Sequence, residues 1–256
     1  MKNKTICFRK AMILLFWLAV WQGIALLIHN RIIFVGPAEM VQSLVHQLPS
    51  PGFWQTIAHS FGKISLGFLS AFFLGIVLGS AGYRFPLLQE LLEPIILLMK
   101  SVPVASFVIL ALIWIGARQL SILIAFLVVF PMIYINTTAG LAATDPKLLE
   151  MAAVFHIPTR KRIRYIYLPA LMPYLLSGCK VALGMSWKSG IAAEVIGVPA
   201  FSIGEKLYMA KIYLNTADLF AWTFVIILIS ALFERAFLLL LTYLSRIGGS
   251  YEHTPS

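Results

Sequence analysis

Charge is what this 256-residue chain has little of: Asp, Glu, Lys and Arg make up 12% of it, against 60% hydrophobic residues and a mean hydropathy of +0.90. A soluble domain carries about 25% charged residues, so a water-soluble globule is excluded. Acids are scarcest, ten against twenty Lys and Arg. An excess of this kind suggests nucleic acid in a soluble protein, but basic residues at membrane edges set topology and account for it here, so no nucleic-acid partner is expected. Cysteine is nearly absent: Cys7 and Cys179 lie far apart, beside or inside apolar segments, and cannot form a disulfide framework or a metal site. His29, His46, His59 and His253 have no ligand spacing, so no metal is assigned. No segment reads G-x-x-x-x-G-K-[ST], which leaves the chain without a phosphate cradle of its own. At about 20 residues per spanning helix, most of the sequence lies in lipid. No separate catalytic or ligand-binding domain fits, and residues 1–256 read as one transmembrane domain.

What is present is a series of apolar runs. The first, Ala11 to Ile28, follows Lys2, Lys4, Arg9 and Lys10, and no small-residue cleavage site comes after it, so it reads as an uncleaved helix. Ile64 to Gly82 is the second. The third starts near Leu91, passes Pro94, Lys100 and Pro103, and ends at Ile115-Gly116. Leu120 to Ala139 is the fourth, with Pro131 as an expected kink. The fifth runs from Leu171 to Gly197, and the sixth from Leu219 to Leu244 with Glu234 and Arg235 placed to pair near the inner interface. The expected fold class is therefore all-α, with about six transmembrane helices and both termini on one side. Lys2, Lys4, Arg9, Lys10, Arg84, Lys147, Arg160, Lys161, Arg162, Arg164 and Arg246 gather on that side, against Arg31, Lys63, Arg118, Lys206 and Lys211 on the other. This asymmetry places the termini and the 140–168 loop in the cytoplasm.

Two runs carry small residues at i, i+4 steps: Gly67, Ala71, Gly75 and Gly79 in the second, and Gly178, Ala182, Ser186 and Gly190 in the fifth. Such ladders let backbones approach closely and predict packing faces; a hinge or gate is the alternative. Opposite the second ladder, Lys180, Gly184 and Lys188 share a face of the fifth run. Ionisable groups within a membrane mark pathways or pair for structure, so Lys188 either lines a passage or pairs with a carboxylate such as Glu194. Lys180 either joins that passage or snorkels to the cytoplasmic edge. Glu194, near the outer end, either fixes a gate or touches the transported solute.

Between the fourth and fifth runs, Thr144 to His156 reads as a short helix capped by Thr144 or Asp145, with Pro146 in its first turn and Pro158 beyond its end. Leu148, Leu149, Ala152, Ala153 and His156 fall on one stripe, with Phe155 adjacent. A basic stretch, Thr159 to Pro169, follows. An interfacial helix on anionic lipid would explain its arginines, but not why a capped helix projects before them.

Here the residues match a family. Glu150-Met151-Ala152, then His156, then Ile166-Tyr167-Leu168-Pro169 resembles the E-A-A, G, I-x-L-P signature of permease subunits in bacterial ATP-binding-cassette importers. Val35-Gly36-Pro37, Lys100-Ser101-Val102-Pro103, Trp114-Ile115-Gly116 and Ala193-Glu194-Val195-Ile196-Gly197 resemble the branch that imports nitrate, sulfonates and taurine. The resemblance covers roughly residues 34 to 245 and implies a type I importer permease fold, its core at about 60–245 and its coupling loop at 144–169. It further implies a second permease chain, in the simplest case a homodimer, two ATPase subunits that bind ATP-Mg, an extracytoplasmic binding protein, a multi-pass place in the bacterial inner membrane, and no cofactor or catalysis in this chain. Leu149, Glu150, Ala152, Phe155, His156, Leu168 and Pro169 would then couple to the ATPase, and the solute would be small, anionic or heterocyclic. His156 in place of the motif glycine implies a turn of different geometry, because positive φ costs a side chain what it does not cost glycine. An ion-coupled carrier is the rival reading; it would need intramembrane charges that do the coupling and paired broken helices. A membrane-embedded enzyme would need its groups at one depth, and Lys188, Glu194 and Glu234 are scattered.

Overall fold

The computed structural model describes residues 2–247, with side chains from Phe8 to Ser245. Cys7, Lys2, Lys4 and Arg246 as side chains, and His253 with the rest of the terminus, lie outside the described residues. Helices are α1 (Lys2–Ile28), α2 (Pro37–Gln47), α3 (Pro51–Arg84), α4 (Pro86–Ser101), α5 (Val104–Ile115), α6 (Leu120–Ala142), α7 (Pro146–Val154), α8 (Thr159–Arg162), α9 (Leu168–Gly197), α10 (Ile203–Ile212) and α11 (Thr216–Ile247). A π turn, Ile163–Tyr167, joins α8 to α9. No strand occurs among the described residues.

The small-residue ladders explain the centre of the bundle. A Cβ added at Gly67 would lie 2.5 Å from the Ile122 carbonyl oxygen, one at Gly75 2.9 Å from Ile133, and one at Gly79 2.8 Å from Thr137. Contacts that advance together along both helices make α3 and α6 parallel. On the other side of α6, Gly140 meets Leu171 and Tyr174, Gly178 meets Asn136, and Gly197 meets Leu120. α9 is thus antiparallel to α6. α11 lies parallel to α3 along an aromatic seam: Phe53 on Trp222 with centroids 4.9 Å apart, Phe68 on Phe233 at 5.7 Å, and Phe72 on Phe237 at 5.1 Å. Each edge or tilted pair adds about 0.5–1.5 kcal/mol beyond burial.

Among the described residues five helices are each long and apolar enough to cross a membrane, and α4 with α5 passes the same test as a pair bent by 105°. Connectivity makes that pair a crossing. Since α3 and α6 are parallel, the chain must return between them from Arg84 to the level of Arg118, whose carbonyl oxygen accepts from Lys63 Nζ. That distance along α3 is about 32 Å at 1.5 Å per residue, which matches a hydrocarbon core of roughly 30 Å. The break falls at Val102-Pro103, where proline removes a donor and forces the preceding residue out of the helical region. Pro131, by contrast, leaves α6 one helix.

Two short helices outside the apolar spans were not foreseen, α2 and α10. Pro37 opens α2, and Asp218 at the head of α11 holds it: Ser43 Oγ donates to Asp218 Oδ1 at 2.5 Å, and Gln47 Nε2 to the same oxygen at 3.1 Å. Trp21 Nε1 donates to the Val35 carbonyl at 2.9 Å, tying the C-terminal part of α1 to the same corner. Glu234 and Arg235 form no ion pair among the described residues, where Arg31 and Glu39 pair at 2.9 Å. Neighbours on a helix point about 100° apart.

Candidate functional site

α7 is built as its sequence dictates. The carboxylate of Asp145 accepts from the Lys147 amide at 2.9 Å, which settles the cap in favour of Asp145, and Pro146 occupies the first turn. At the other end, the Ile157 amide donates to the Ala152 carbonyl at 2.9 Å and the His156 amide to the Ala153 carbonyl at 3.1 Å. This pair of bonds is the Schellman arrangement. It places His156 at φ +50°, the left-handed region. The turn therefore has the geometry a glycine would give, and the expectation of a different one is corrected.

One member of the stripe faces the other way. Ala152 is 0% exposed and lies against this chain, so the expectation that it fills a partner's cleft is corrected, while Leu149 is half-buried and Leu148, Ala153 and His156 are exposed. Outward lie Glu150, Met151 and Val154, flanked by Leu148 and Phe155, with Val154 and Phe155 each 73% exposed. Beyond His156, Thr159–Gly197 is a single apolar helical span interrupted by the π turn. There the Leu168 amide donates to the Ile163 carbonyl, five residues back, and Pro169 supplies no amide for the next bond. π turns of this kind concentrate at functional sites. Leu168 and Pro169 are half-buried at that joint.

Within the membrane, α9 divides cleanly. Gly178, Ala182, Ser186 and Gly190 are buried, whereas Ser177, Lys180, Val181, Lys188 and Ala192 are exposed. Gly184, between the lysines, would place a Cβ with nothing within 4 Å. Lys180 and Lys188 thus share one open face, and among the described residues neither has an ion-pair partner.

Glu194 sits elsewhere. It is 0% exposed, and its Oε2 accepts from Ser60 Oγ at 2.7 Å and from the Gly204 amide at 3.2 Å. Ser60 Oγ in turn accepts from the Ile203 amide at 2.9 Å. The carboxylate caps the amide end of α10, where a helix dipole favours negative charge, and pins it to α3. Glu194 therefore neither pairs with Lys188 nor faces the exposed stripe, which corrects the expected Lys188 pair and the expected contact with the solute and leaves a structural role. Six residues at 100° each put the two side chains about 120° apart on one helix. A Cβ at Gly204 would run into Glu194, so glycine alone permits this approach. Ser60, Ser202 and Gly204 escaped the sequence reading because residues 60 and 194 meet only through the fold.

With this geometry in place, the comparisons are informative. The profile of the family described as binding-protein-dependent transport system inner membrane component matches residues 71–246. The chain is 29% identical over 224 residues to a taurine transport system permease protein of Escherichia coli (strain K12), covering 85% of this chain and 81% of the relative. It is 27% identical over 238 residues to a putative aliphatic sulfonates transport permease protein of Bacillus subtilis (strain 168), covering 92% and 86%. A bicarbonate transport system permease protein of Synechocystis is 31% identical over 153 residues, covering 59% and 54%. The chain belongs to the binding-protein-dependent inner-membrane transport family, and is a multi-pass permease subunit of an ATP-binding-cassette importer.

Proposed function

We propose that this permease works as one of two identical chains around a central passage, takes a small anionic or heterocyclic solute from an extracytoplasmic binding protein, and is driven by two partner ATPases that bind ATP-Mg and dock on α7. Both termini and residues 140–168 face the cytoplasm in this reading, as the basic-residue asymmetry requires. The observation that carries it is α7 itself: capped at both ends, outside the apolar spans, and presenting Met151, Val154 and Phe155 to solvent beside Glu150. A solvent-facing apolar patch on so short a helix is accounted for by a partner. A single cysteine at Phe155 in a Cys-free background should escape an impermeant maleimide in intact cells and cross-link to the ATPase, while one at Thr216 is labelled from outside. Labelling at 155 in intact cells would overturn the orientation and the docking together.

The open stripe of α9 is the proposed passage wall. Two cations with no carboxylate partner favour an anion, and the relatives named above are permeases for taurine, aliphatic sulfonates and bicarbonate. Lys188→Gln is expected to lower anion uptake roughly ten-fold while the complex still assembles, because a unit charge at ~4 Å contributes ~1 kcal/mol in water and ~4 kcal/mol at an effective dielectric of ~20. Unchanged uptake would remove Lys188 from the passage. An ion-coupled carrier is not favoured: the span broken between α4 and α5 has no counterpart elsewhere among the described helices, and such a carrier has no use for α7.

A further inference from the structure

We infer that Arg162 is the positioning residue that makes α7 and α8 one rigid body, so that force applied to α7 reaches α9 and is not lost in the turn between them. The inference rests on the reading above that the ATPase docks on α7. Arg162 Nε donates to the Ile157 carbonyl at 2.8 Å, and Nη2 donates to the Ala152 carbonyl at 3.2 Å. One guanidinium thereby grips both sides of the His156 turn, using the planar fork that lysine lacks.

The turn needs this grip. A left-handed residue other than glycine is strained, and His156 occupies that region between the last turn of α7 and Pro158. Left to itself, the turn is the soft point of the loop, and a push on Met151 or Val154 would change its torsions first. Bonds to a charged donor are stronger than neutral ones, and two of them offset the strain. The Ala152 carbonyl also accepts from the Ile157 amide, so the end of α7 is fixed from two directions. Motion is then left to the next weak point, the π turn at Ile163–Tyr167 ahead of Pro169. α7 and α8 swing together about that joint, and α9 with its exposed stripe receives the displacement.

The test needs no transported solute. A cysteine at the exposed Ala192 of α9, in a Cys-free background within the full complex, is labelled with maleimide with and without ATP and vanadate; co-purification of the ATPase and its hydrolysis are followed in parallel. With Arg162 intact, nucleotide should change the labelling rate. In Arg162→Met the ATPase should stay bound and hydrolyse, while the nucleotide-dependent change shrinks about ten-fold, the factor equivalent to one lost charge-assisted bond. Arg162→Lys should fall between, and His156→Gly added to Arg162→Met should restore part of the response, because glycine holds the turn without strain. An undiminished response in Arg162→Met would overturn this inference alone. Loss of the response together with the ATPase would make Arg162 a docking residue and overturn it as well. No nucleotide response even with Arg162 present would remove the docking reading, and this inference with it.

Discussion

Ala152→Glu is expected to abolish transport while the protein still inserts in the membrane. Ala152 is fully enclosed within its own chain, and its carbonyl oxygen is the shared acceptor that holds the end of α7. A carboxylate there must either give up its hydration, at several kcal/mol, or lift α7 from its seat. The second outcome is the cheaper one, so the outward face of Glu150, Met151 and Val154 loses its orientation and the ATPase its footing. The substitution lies outside the lipid, so expression in the membrane fraction should match wild type. Ala152→Gly, which adds no volume, is the control and should retain binding. Co-purification of the ATPase reads the result; wild-type recovery with Ala152→Glu would show that α7 is not the coupling element.

Gly67→Ala is expected to be strongly destabilising, and Gly62→Ala, five residues earlier on the same helix, to be harmless. At 67 the new Cβ meets the backbone oxygen of Ile122 at 2.5 Å and Ala125 at 2.9 Å, while at 62 nothing lies within 4 Å. Backbone cannot rotate out of the way as a side-chain tip can, so α3 and α6 must separate. Overpacking of this kind costs about 1–3 kcal/mol or more. An open helical glycine replaced by alanine gains about 0.5–1 kcal/mol. Thermal unfolding in detergent should order the variants Gly62→Ala, wild type, Gly67→Ala. Equal midpoints for the two variants would contradict the close α3–α6 approach.

These effects divide along what a sequence can carry. The ladder at Gly67, Ala71, Gly75 and Gly79 was legible because close packing in lipid needs small residues at a fixed step, and all four are buried. The caps of α7 were legible because Asp145, Pro146 and Pro158 act locally. What covers a residue of a stripe is not local: Leu149, Ala152 and His156 share a face, and only tertiary placement encloses Ala152 while leaving His156 exposed. α2 and α10 were missed because both are too short and mixed in polarity to stand out beside spans of 20 or more residues. The third run was read through Pro103 as one span, and the 105° bend at that proline was not foreseen. His156 reads as a flaw in a glycine position until Arg162, six residues on, is seen gripping the turn.

The central claim is that this chain is the passage of an ATP-driven importer and does not itself use an ion gradient. The most direct measurement is uptake into liposomes containing the permease with its ATPase and binding protein, using the solute recovered from that binding protein and identified by mass spectrometry. Uptake should require ATP and persist when ionophores collapse the proton and sodium gradients, and the permease alone should neither hydrolyse ATP nor transport. Uptake abolished by ionophores at saturating ATP, or sustained by a gradient without ATP, would contradict the account.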